Sequence, residues 1–152
     1  MAGVSLTGDF WDLLGTWTGV EEQSASPWAR AARTRAALTF KLDLAGTAVV
    51  QDYRQVRDDG GELTAHGVLL ADEADPAVVL WWLFDSYGQA PAVARGAWSD
   101  RVLTLERPGG GGVAHHRFDL GADRLAYAVD VALGGAAPVP FLRGRYERVS
   151  GH

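Results

Sequence analysis

The chain contains no cysteine, which excludes a disulfide framework, a thiolate nucleophile and a cysteine-ligated zinc site. The same absence fits a reducing compartment and points to the cytoplasm. Long apolar runs are also missing. The longest, Ala77 to Phe84, is far below the roughly 20 residues a membrane helix needs. The beginning of the chain carries neither the basic region nor the apolar stretch of a secretory signal. Positive charge is scarce, with 14 Lys and Arg against 19 Asp and Glu, a net charge of −5 and a pI near 5.2. A nucleic-acid binder needs a basic face. The expectations are therefore no membrane partner and no nucleic-acid partner.

What is present is a single domain spanning 1–152, with 47% hydrophobic and 22% charged residues, a globular composition. Residues 1–7 carry no pattern. Asp9 to Leu14 offers an acidic cap and apolar residues at helical spacing, which predicts one short turn of helix tucking Phe10 and Leu14 under a barrel end. Gly15-Thr16-Trp17 then opens a strand running to Gln23. A second such motif, Gly96-Ala97-Trp98, lies eighty residues on. Ser26-Pro27 followed by alanines predicts a short helix or lid within 24–35.

From residue 35 onward, alternating strands are separated by turn signals: 35–44, 47–56, 63–70, 78–85, 93–98, 102–106, 113–120, 125–133 and 141–149. Asp58-Asp59-Gly60-Gly61 is a hairpin signal, and Pro108 with Gly109 to Gly112 marks another tip. About ten strands with short connections predict an all-β, antiparallel, up-and-down barrel, closed so that no edge is left unpaired.

Alternation assigns an inner face. Leu125, Tyr127, Val129, Val131 and Leu133 share one side, as do His116, Phe118 and Leu120, which turns His115 outward. Leu103 and Leu105 point in, and Gly96 and Trp98 share a face. Residues 63–70 admit either parity. Trp81 and Trp82 cannot both point in, so one of them covers the outside or a neighbouring subunit.

Gly15-x-Trp17 and the arginine-bearing last strand, Leu142-Arg143-Gly144-Arg145-Tyr146, resemble the calycin barrels: lipocalins, fatty-acid-binding proteins and avidins. Asp52-Tyr53-Arg54-Gln55, His66-Gly67-Val68, Trp82-Leu83-Phe84-Asp85-Ser86-x-Gly88, Gly96-x-Trp98 and Leu103-x-Leu105-Glu106-Arg107 are similar to a bacterial family of uncharacterised calycin-like domains. The resemblance implies a ten-stranded barrel related in shape to fatty-acid-binding proteins and nitrobindins. It also implies that Gly15 and Trp17 are structural and that Arg143 or Arg145 stacks on the Trp17 indole, a cation–π contact. Nitrobindins hold haem through a histidine at the start of the last strand. Here that place reads Val139-Pro140-Phe141-Leu142, so no haem and no other cofactor is expected.

The candidate ligand wall is Tyr53, His66, Trp82, Trp98, His116, Phe118 and Tyr127, an aromatic lining with few polar atoms, as small-molecule sites have. Arg30, Arg33 and Arg35, in an acid-free segment that also holds Lys41, form a candidate rim for an anionic end. His115-His116 is not a metal pair, because strand neighbours face opposite ways, and no other metal motif is present. The leading expectation is a non-catalytic binding protein for a small hydrophobic molecule with a polar or anionic end. An isomerase or hydrolase using His66 or His116 with Asp85 is the alternative from another class, and no catalytic residue is assigned. A third reading is a filled barrel working through protein contacts, as a homodimer using an exposed Trp81.

Overall fold

The computed structural model describes residues 9–27, 30–88 and 91–150. Ten strands follow one short helix: α1 (Phe10–Leu13), β1 (Gly15–Gln23), β2 (Ala32–Asp43), β3 (Ala48–Arg57), β4 (Glu62–Ala71), β5 (Val79–Asp85), β6 (Val93–Ser99), β7 (Val102–Gly109), β8 (Gly112–Leu120), β9 (Arg124–Leu133) and β10 (Val139–Ser150). Each strand pairs antiparallel with its sequence neighbours, and β1 closes on β10. This is the predicted up-and-down barrel. The short helix expected within 24–35 does not form among the described residues, and 28–29 of that stretch lie outside them. Ser26 makes an isolated bridge, Pro27 lies in a turn, and β2 already begins at Ala32. The alternating Arg33, Thr34, Arg35, Ala36 pattern suits a strand with one wet face, and nine β1–β2 register pairs take its backbone hydrogen bonds. The unpatterned residues 1–7 lie outside the described residues.

The turns follow their residues. Asp100 and Arg101, both at positive φ (48° and 65°), join β6 to β7, the left-handed pair that a two-residue hairpin requires. Gly60 at φ 87° turns β3 into β4, and the Gly61 N–H donates to Asp59 Oδ1 at 2.8 Å.

The barrel has a closed end and an open end, and α1 plugs the closed one. Phe10, Leu13 and Leu14 are buried against Trp17, which is fully buried. Phe10 meets Trp98 edge-on at 5.4 Å. A helix of one turn leaves its last carbonyls without intrahelical partners, and side chains satisfy them. Trp17 Nε1 donates to Leu13 O at 2.9 Å, Arg148 Nη1 to Leu14 O at 2.8 Å and Arg148 Nη2 to Asp12 O at 2.6 Å. Arg101 ties Asp9 and Asp12 to the β6–β7 turn.

The cation over the Trp17 ring is Arg148, 4.2 Å from its centroid. Neither Arg143 nor Arg145 fills that role. Both lie on the outward parity of β10, and Arg143 pairs with Asp130 at 2.6 Å. The β1–β10 register opposes Trp17 to Arg148 directly, next to an irregularity at Thr16/Trp17. Parity counted from Arg143 would have put Arg148 on the inner side.

Candidate functional site: a polar-lined cavity at the open end

Alternation carries a set of polar side chains inward along with the apolar ones. On β1, Trp17, Gly19, Glu21 and Gln23 share a face, and Glu21 and Gln23 are buried. On β3, Gln51, Tyr53 and Gln55 share a face, with Gln51 and Gln55 buried. On β7, Leu103 and Leu105 are followed at the same parity by Arg107. The ambiguous strand β4 buries Ala65, Gly67 and Leu69.

Glu21 is 0% exposed. Its carboxylate accepts from the Tyr53 and Tyr146 hydroxyls and from Gln55 Nε2 at 2.9 Å. Gln55 Nε2 also reaches the Tyr53 hydroxyl at 3.1 Å. Burial first, and the Glu21 charge second, push the Tyr53 and Tyr146 hydroxyls far above the ordinary tyrosine range. They stay protonated and serve as donors, so a charge-assisted network replaces the water Glu21 has lost.

A neighbouring cluster is aromatic. Phe118 and Tyr127 stack at 4.5 Å, and Trp81 meets His116 edge-on at 4.8 Å and Phe118 at 6.1 Å. His116 Nδ1 and the Tyr127 hydroxyl lie 2.6 Å apart. Burial, reinforced by the Arg107 charge, lowers the His116 pKa to about 3, so the ring is neutral at physiological pH. Burial raises Tyr127 well above its usual range. The Trp81 indole N–H donates to Gln51 Oε1 at 3.0 Å. Gly67 leaves room for that pair, because a Cβ there would stand 2.5 Å from the Gln51 oxygen and 2.6 Å from the Trp81 nitrogen.

Between these two clusters lies a cavity of about 350 Å³, walled by Gln51, Tyr53, Gln55, Trp81, Arg107, His116, Tyr127 and the apolar Leu63, Ala65, Leu83, Val129 and Leu142. It opens past Gln23, Asp85, Tyr87 and Phe141 into a mouth recess of about 960 Å³ that also holds Arg30, Arg33, Arg57, Asp58 and Asp59.

The expected wall residues divide. Tyr53, His116 and Tyr127 stand on the cavity. Phe118, 1% exposed, packs in the core beneath it, stacked on Tyr127. Trp98 belongs to the closed end with Phe10. His66 and Trp82 are not on the wall at all. Both lie on the outward parity of their strands, and exposed His66 pairs with Asp52 across β3–β4. Trp81, 1% exposed, is the inward indole, so a contact surface built on an exposed Trp81 is ruled out. The outward indole is Trp82, on the same face as the exposed Phe84.

Of the rim arginines, Arg30 and Arg33 border the mouth recess, whereas Arg35 lies further along the outer face of β2. Asp85 caps its own turn through Tyr87 N at 3.0 Å. Among the described residues no histidine bonds to it, and the dyad of the enzyme alternative is not formed. His115 faces away from His116 toward Glu106. The described residues include no group of three or more metal-ligating side chains and no helix long and apolar enough to cross a membrane. Sequence reasoning passed over Glu21, Gln51, Gln55, Trp81 and Arg107. Counting in twos from Trp17, Tyr53 and Leu105 would have brought four of them inside.

No protein-family model matches the chain, and no curated protein does. Solved structures do. The crystal structure of Rv2717c from M. tuberculosis superposes with a TM-score of 0.72 at 17% identity, covering 91% of this chain and 94% of that one. The S-type phycobiliprotein lyase CPES from Guillardia theta superposes with a TM-score of 0.69 at 11% identity, covering 94% and 92%. With the closed ten-stranded topology, these likenesses show that the chain shares the antiparallel β-barrel fold of those structures.

Proposed function

We propose that this protein is a non-catalytic small-molecule-binding barrel whose ligand has a mainly apolar, aromatic-compatible body and one polar or anionic end. The observation that carries the reading is the 350 Å³ cavity itself: an open-ended pocket with an aromatic wall and a few fixed polar groups, the usual make-up of such sites. The neighbouring lyase has the same barrel shape at low identity; the cavity residues, and not that likeness, support ligand binding here. The apolar body would bury against Trp81, Tyr127, Leu83 and Val129, at about 25 cal/mol per Å² removed from water. The polar end would meet the charged side chains toward the open end, Arg107 on the cavity wall or Arg30, Arg33 and Arg57 at the mouth.

The test is a titration with fatty acids, aromatic acids and their matched alcohols, read by tryptophan fluorescence, on the wild type and on Ala65→Phe. Ala65 is a buried wall residue, and a phenyl ring there fills the pocket. Saturable binding that is lost in a folded Ala65→Phe variant is the expected outcome. Binding that survives the ring, or no binding across the whole panel, would contradict the proposal.

A further inference from the structure

Two residues that line the cavity each carry a buried polar atom with no partner among the described residues: Gln55 Oε1 and His116 Nε2. The orientation of Gln55, 3% exposed, is set by its neighbours. Its Nε2 donates to Glu21 and to Tyr53, and a flipped amide would press its oxygen against the Glu21 carboxylate. The oxygen is therefore the face that Gln55 turns away from Glu21, and Gln55 lines the cavity. Native proteins rarely leave such an acceptor unsatisfied, since its desolvation is then uncompensated. A ligand donor would complete it.

Four strands away, on β7, Arg107 lines the same cavity, half-buried, and forms no ion pair among the described residues. Among the described residues it is the one cation on the wall. Asp85, the one carboxylate on the wall among the described residues, has Oδ1 engaged by Tyr87 N. Three arginines face three aspartates in the mouth recess, so the recess has no net sign and charge selection falls to Arg107.

We propose that the cavity selects a flat aromatic acid whose carboxylate meets Arg107 and whose far end carries an O–H or N–H donor for Gln55 Oε1. This rests on the reading of the cavity as a small-molecule site. The two poles sit on opposite walls, and the aromatic cluster of Trp81, His116 and Tyr127 contacts the ring between them. Guanidinium and carboxylate pair as a two-pronged, charge-assisted contact. A group built to receive a donor rejects an analogue that lacks it.

The experiment is calorimetric titration at neutral pH with 6-hydroxy-2-naphthoate, 6-methoxy-2-naphthoate and 2-naphthol, on the wild type and on Arg107→Met. On the wild type, the hydroxy acid should bind about tenfold or more tighter than either of the other two, the factor expected for one lost charge-assisted or buried hydrogen bond. In Arg107→Met its advantage over 2-naphthol should vanish. Equal binding of hydroxy and methoxy acids, or of acid and naphthol, overturns the proposal, as does an acid preference that survives in Arg107→Met. If the three compounds bind without that order, the selectivity fails and the binding reading stands. If none binds, both fail. The ligand series on the unaltered protein decides by itself should the variant not fold.

Discussion

The Glu21 carboxyl is buried inside the barrel with two tyrosine hydroxyls and a glutamine amide donating to it, and that dependence runs both ways. Glu21→Ala would leave two buried hydroxyls and an amide without an acceptor, so urea melts should show a loss of about 3 kcal/mol or more. Glu21→Gln keeps one acceptor oxygen and should lose clearly less. His116 gives a pH signature. Its folded pKa, about 3, lies below the ordinary value of 6.5, so the unfolded chain binds the proton more readily. The associated stability is fully present above about pH 6.5 and is lost as pH falls toward 3, at a slope of up to about 1.4 kcal/mol per pH unit. In His116→Phe the stability profile between pH 4 and 6.5 should be flatter than in the wild type. An unchanged profile would show that His116 is not held neutral by burial.

At the scale of elements, α1 is held by what it packs on rather than by helix propensity, since one turn cannot sustain itself. Trp17 and Arg148 together take its last three carbonyls. Trp17→Ala should cost about 3–5 kcal/mol, as for a large buried aromatic. Arg148→Ala should cost about 2–3 kcal/mol through the lost ring contact and carbonyl bonds. Arg143→Ala and Arg145→Ala, on the exposed face of β10, should cost less than about 1 kcal/mol each in the same denaturant melts.

The strands, their order and the plug helix were legible in the sequence because period-two alternation and turn residues are local signals. That Arg148, rather than Arg143 or Arg145, covers Trp17 is not a local signal, because the β1–β10 register depends on a pairing across the whole chain and on the irregularity at Thr16/Trp17. The helix expected at 24–35 fails for a related reason. Ser26-Pro27 and the alanines favour a helix locally, but the β1 edge and β3 edge need a partner, and β2 supplies it from Ala32 onward.

At the scale of the whole molecule, the closed end is a packed core and the open end a pocket with an apolar, aromatic wall and a few polar groups, and the two share the same strands. The apolar half of that pocket could be read from the inward set of β8 and β9. The polar half was missed because a buried glutamate or glutamine looks like a solvated one until its donors are placed around it. Outward His66 illustrates the converse: its strand fits either parity, and only pairing with β3 and β5 decides which side is wet.

The most direct test of a ligand cavity between the Glu21 network and the aromatic cluster is a proton–nitrogen correlation spectrum followed through titration with 6-hydroxy-2-naphthoate, watching the tryptophan indoles. Trp81 stands on the cavity wall with its N–H on Gln51, Trp17 is sealed in the plug with its N–H on Leu13, and Trp11 is half exposed on the outside. The Trp81 indole resonance should shift progressively to saturation while those of Trp17 and Trp11 hold still. A saturated titration in which Trp81 does not move, or in which the outer Trp11 moves instead, would contradict the account.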